Sequence, residues 1–182
     1  MPGDTPHEAV QAFLNPLREA TAVLDARTDI VTVPGGGWRL GGTYAWVLNG
    51  ADGADLGPAG IFHATMKFEV VRCDPAHEGV YRCSTRHYRY QLEDRSGVPF
   101  WRLDWHPTGI AARREPHLHE RPDLKEHRTT PRAGFELAIR GCIAAGALLT
   151  CSPDEAEAHL TGIEWPYTLY RSWGTHPDEP RG

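Results

Sequence analysis

The chain has 182 residues, 40% hydrophobic, 24% charged and 9% aromatic, which suits one domain with a sizeable core. Nineteen Lys and Arg against 24 Asp and Glu give −5, excluding a uniformly cationic coat though not a local basic patch. Four cysteines without CxxC spacing exclude a zinc ribbon, and a start (Met1-Pro2-Gly3-Asp4) lacking a signal-peptide pattern predicts a soluble, cytoplasmic chain with reduced thiols.

The first element is a helix within residues 1–27. Thr5 is its N-cap, Pro6 its first position and Glu8 the closing member of a capping box. Val10, Phe13, Leu14, Leu17 and Leu24 then recur at helical spacing, with Pro16 placed to bend or break the helix. Short β-prone runs follow, separated by turns. They are Ile30 to Val33, Trp38 to Leu48 with a bend at Gly41-Gly42, Ile61 to Val71, Val80 to Glu93 and Pro99 to His106. In the third run Phe62, Ala64, Met66, Phe68 and Val70 alternate with polar residues, marking a strand with one buried face. Gly35-Gly36-Gly37 leads into another strand and so lacks the helix N-terminus a phosphate loop needs. Helices return after Pro131. Phe135, Ala138, Ile139, Cys142 and Leu149 share a face, with Thr130-Pro131 as cap, and Ser152 with Glu155 caps a second helix ending before Pro166. The expectation is a single α+β domain, 1–182: an N-terminal helix, a curved antiparallel β-sheet meander over 29–120, and two C-terminal helices within 131–173.

Charge is distributed unevenly. Residues 81–132 hold 11 basic and 7 acidic side chains, and ten of those cations are arginine, whose fork suits phosphate or carboxylate. On the strand 99–106, Trp101, Leu103 and Trp105 face one way, and Arg102, Asp104 and His106 the other. A hairpin symmetric about residue 96 sets Tyr90 opposite Arg102, Tyr88 opposite Asp104 and Arg86 opposite His106. A one-residue slip replaces the tyrosines with His87, Arg89 and Gln91. The first register is preferred. Beyond it, His117 and His119 share a face of an extended segment, with Leu118 toward the core. These imidazoles could exchange protons as general base and acid without a metal or other cofactor, or join His106 in a three-histidine set for a divalent metal. Cys73, Cys83, Cys142 and Cys151 read as structural.

Tyr88-x-Tyr90, Trp101-Arg102-Leu103-Asp104, Pro116-His117-Leu118-His119 and a helix from Gly134 together resemble the TumE family of bacterial toxin–antitoxin proteins, over roughly residues 86–147. Arg102, Asp104, His117 and His119 match that family's pattern. Some 80 additional N-terminal residues and the Arg113-Arg114 insertion depart from it. The resemblance implies a growth-inhibiting endoribonuclease, with RNA and a cognate antitoxin protein as partners, no membrane association, and a homodimer as one assembly open to it. His117 and His119 would then transfer protons, Arg102 would stabilise charge, and Asp104 would orient His106 or Arg102. Arg86, Tyr88, Tyr90, Arg113 and Arg114 would bind substrate. Two other readings are a cupin-like metal-dependent small-molecule enzyme using His106, His117 and His119, and a non-catalytic module. The module would dock acidic partners on its arginines, with Trp165, Tyr167, Tyr170 and Trp173 as contact patch.

Overall fold

A computed structural model describes residues 2–73, 79–108 and 113–170, with side chains described throughout except at Arg113 and from Trp165 to Tyr170. The first helix, α1 (Pro6–Thr21), opens as expected, with the Thr5 hydroxyl accepting from the Glu8 amide and the Glu8 carboxylate accepting from the Thr5 amide. Pro16 does not break it. The ring costs one hydrogen bond, that to the Ala12 carbonyl, but Val10, Phe13, Leu14 and Leu17 are buried on both sides of it and hold the helix against the sheet. Leu24 lies past the helix end, where it bridges to Leu149 instead of extending the apolar stripe.

Among the described residues, eight strands form one antiparallel sheet: β1 (Ile30–Val33), β2 (Thr43–Leu48), β3 (Ala54–Asp55), β4 (Ile61–Arg72), β5 (Tyr81–Glu93), β6 (Pro99–His106), β7 (Arg113–Glu120) and β8 (Asp123–Thr129). The order is β1-β2-β4-β5-β6-β7-β8, with β3 pairing β4 in the stretch between two of the β-prone runs. The sheet is open, so the closed barrel of the cupin reading is absent among the described residues. It also runs one strand past residue 120. Asp123–Thr129 is polar nearly throughout and largely exposed, an edge strand without the alternation that announces a half-buried one.

One face of the sheet carries the core. Phe62, Ala64, Met66, Phe68 and Val70 are buried on β4 as the alternation requires, and Trp105 and Leu103 on β6. Against them pack α1, α2 (Phe135–Ala144) and α3 (Pro153–Tyr170). Helix α2 starts after Gly134 rather than Pro131, and Leu149 lies beyond its end. Helix α3 keeps its Ser152–Glu155 capping box and passes through Pro166 to Tyr170, longer than expected. Arg140 of α2 ties the two helices together through Glu157 and Glu164 of α3. All four cysteines are free; Cys83 and Cys142 are buried, and burial pushes the Cys83 thiol up to about 12. No helix among the described residues is long and apolar enough to cross a membrane.

Candidate functional site: an arginine–aspartate–histidine sheet face

The β5–β6 hairpin decides which side chains meet. It leaves its turn in the expected register, Glu93 opposite Pro99, and then a bulge at Leu92/Glu93 shifts the pairing by one residue. From there Leu92 faces Trp101, Gln91 faces Arg102, Tyr90 faces Leu103, Arg89 faces Asp104 and Tyr88 faces Trp105. The preferred register is therefore corrected to the slipped one. Burial is the physical reason: the shift puts Tyr88, Tyr90 and Leu92 on the tryptophan side and turns Arg89 outward.

Tyr88 and Tyr90 are thus core residues, fully buried and stacked with ring centroids 4.9 Å apart, not substrate contacts. The Tyr88 hydroxyl accepts the Ala133 amide at 2.9 Å, fixing the entry to α2. A second bulge, at Lys67/Phe68 in the β4–β5 pairing, brings Arg86 to Glu69, and the two form an ion pair at 2.9 Å. Arg114 is exposed and its carbonyl accepts the Trp105 indole N–H, in a stretch where the β6–β7 pairing shifts register. The Arg113 side chain, the aromatic side chains at 165, 167 and 170, and all of Trp173 lie outside what is described.

Arg102, Asp104, His106, His117 and His119 do come together. Strand β6 pairs with β7 so that Arg102 stands opposite His119 and Asp104 opposite His117. Adding β5 gives two rows across three strands: Gln91, Arg102, His119, and Arg89, Asp104, His117. Asp104 is at the centre, only 1% exposed, and accepts Nε–H from Arg89 at 2.9 Å and from Arg102 at 2.6 Å. Burial pushes its carboxyl pKa up, but the two guanidinium groups, Arg89 first, outweigh that and hold it below the usual carboxylate range. Each arginine is bound only through Nε. Among the described residues, none accepts a hydrogen bond from the Nη nitrogens of either, which leaves two guanidinium ends for an anion.

Beside this clamp runs a row of imidazoles. Ring centroids are 6.2 Å apart for His87 and His106, 5.3 Å for His106 and His117, and 5.0 Å for His117 and His119. His127, from the unforeseen strand β8, packs 4.9 Å from His117 and 4.2 Å from His119. His117 and His119 are buried, 3% and 2% exposed, while His106 is half-buried and His127 is on the surface. A bulky substrate meets the latter two first. Burial, helped by the charge of Lys67, pulls the His87 pKa down to about 4, so that ring is neutral at pH 7. Burial likewise lowers His119, aided by Arg102 and His127 and opposed by Asp104 and by a hydrogen bond to the Leu124 carbonyl.

No family model, curated protein or solved structure matches this chain. The metal set expected from the sequence is altered. The three rings that each bring a nitrogen within 4.8 Å of the others are His117, His119 and His127, and His106 is not among them. Arg89 and His87 were weighed in the sequence but not preferred, and His127 was in no candidate set. The first two belong to the slipped register, and His127 carried no signal beyond its place in a histidine-rich stretch.

Proposed function

We propose that this sheet face binds and cleaves a phosphodiester bond of RNA by metal-independent acid–base chemistry, in a toxin-like protein restrained by a partner protein. The observation that carries the proposal is Asp104, buried between Arg89 and Arg102 and aligning two guanidinium ends beside the histidine row. Cleavage through the 2′-hydroxyl needs a cationic seat for the phosphate, a base for the hydroxyl and an acid for the leaving oxygen. In this reading Arg89 and Arg102 seat the phosphate. His106 and His127, the accessible rings, exchange protons with substrate, while the buried His117 and His119 orient them from behind. The chain as a whole carries a net charge of −5 despite this cationic face, which limits indiscriminate RNA binding.

The test is cleavage of a defined RNA in EDTA by the parent protein, by Arg102→Ala and by His106→Ala, each first shown folded by circular dichroism. The proposal expects a 2′,3′-cyclic phosphate product from the parent. It also expects rates reduced roughly 10²–10⁴-fold without His106 and about 10²-fold without Arg102. Intact RNA with the folded parent, or equal rates in all three, would discard it.

A further inference from the structure

We propose that His117, His119 and His127 form a binding site for one divalent transition-metal ion of the zinc, cobalt or nickel type. This goes beyond the cleavage reading and does not rest on it: that reading concerns the metal-free protein, since a His127 ring that ligates an ion cannot also exchange protons with RNA. Three independent features converge. First, one ring nitrogen from each residue lies within 4.8 Å of the other two. Zinc held at ~2.0–2.1 Å by tetrahedral ligands sets nitrogen–nitrogen separations of roughly 3.3 Å, so a modest swing of one ring closes the site. His127, exposed on the edge strand, is the most accessible of the three rings.

Second, the tautomers are preset. His117 Nδ1 lies 3.1 Å from the Glu115 carbonyl and His119 Nδ1 lies 2.9 Å from the Leu124 carbonyl. A carbonyl oxygen only accepts, so in both rings Nδ1 carries a proton, and Nε2 is the nitrogen left to offer a lone pair to a metal. Backbone carbonyls that orient ligating histidines through their other nitrogen are a recurrent companion of metal sites. Third, His119 Nε2 is buried and makes no hydrogen bond among the described residues, the nearest Asp104 oxygen being 3.7 Å away. A buried ring nitrogen in this state is a standing cost that a metal–nitrogen bond removes.

The surroundings suit a cation. Three imidazoles form a borderline donor set that favours zinc, cobalt, nickel and copper over magnesium or calcium. Asp104 neutralises part of the nearby guanidinium charge without itself being available as a ligand, since Arg89 and Arg102 hold both of its oxygens. The exposed side at His127 leaves the remaining position to water. Because β7 supplies two ligands and the edge strand β8 the third, the ion would pin the edge of the sheet.

The experiment uses the full chain, stripped with EDTA, dialysed, and titrated with Co²⁺ and then Zn²⁺, read by visible absorption and by calorimetry. The expected result is one equivalent of Co²⁺ with the intense bands of a four- or five-coordinate ion, displaced by Zn²⁺. At a hundredfold excess over Kd, Zn²⁺ should raise Tm by about 5–10 °C. His127→Ala, a change at an exposed position, should weaken binding at least ~100-fold, as should His119→Ala, while His7→Ala on the exposed face of α1 should leave it unchanged. Binding by the parent no tighter than by His127→Ala, or coordination retained when both His119 and His127 are replaced, would overturn the proposal. RNA cleavage is scored separately, so loss of one result does not decide the other.

Discussion

Replacing Asp104 with Asn removes one negative charge from the centre of the site while nearly preserving its volume. The carboxylate is 1% exposed and accepts from two guanidinium groups at 2.9 and 2.6 Å. An asparagine can satisfy one of them with its carbonyl oxygen, and its NH₂ then faces the other donor. A buried hydrogen bond to a charged group contributes about 1.5–3 kcal/mol. Arg102, with its side chain 28% exposed, should lose most of that. Arg89, at 52%, recovers much of its loss by hydration, leaving less than about 1 kcal/mol for its share. The sum predicts a loss of about 2–3 kcal/mol at pH 7, or a fall of roughly 1–1.5 M in the urea midpoint at an m of about 2 kcal/mol/M. The pH dependence follows from the lowered carboxyl pKa of Asp104. The unfolded carboxyl protonates first, near ~3.9, so the parent's advantage is complete above that pH and shrinks as the pH falls through the lower folded value. Urea titrations of both proteins at pH 7, 5 and 3.5 measure it. A gap below about 0.5 kcal/mol at pH 7, or one that does not narrow at pH 3.5, would refute the central role given to this carboxylate.

Tyr88→Phe should cost about 1–2 kcal/mol in urea unfolding, since the Ala133 amide loses its buried acceptor, while binding of a short RNA stays unchanged because the ring lies in the core. Weakened RNA binding at intact stability would return Tyr88 to the substrate face. Gly60→Ala should lose at least about 2 kcal/mol: Gly60 has φ 108°, and an added Cβ would run into the Glu93 carbonyl oxygen. An unchanged thermal midpoint would show that the approach of the Gly60 turn to the end of β5 relaxes freely.

Element identity was legible wherever burial on one face imposes a period. The strict alternation of β4 and the Thr5–Glu8 capping box read correctly because each rests on local chemistry. Strand β8 was not legible, because an edge strand exposed on both faces has no apolar rhythm to betray it. Pro16 and Pro166 mislead in the same way, since backbone preference at one position yields to the rest of the helix. Arg102, Asp104, His106, His117 and His119 were correctly grouped, as that needed only the period of two on β6 and β7. Their neighbours on β5 were missed because a bulge adds a residue to one strand without leaving a mark in composition. The pairing of apolar with apolar faces was the available clue: Tyr88 and Tyr90 belong with Trp105 and Leu103, and that match requires the slip.

That slip has a genetic consequence. Opposed positions in the hairpin differ by odd intervals beyond the bulge, and Arg89 and Asp104 are 15 positions apart. Loss of a single codon at the bulge would restore even intervals and turn β5 over, bringing two tyrosines to the surface and an arginine into the core. Substitutions in this hairpin can be absorbed one side chain at a time, whereas a length change there inverts a whole strand. Descendants of this gene should therefore tolerate drift in the identity of the intervening residues far better than drift in their number.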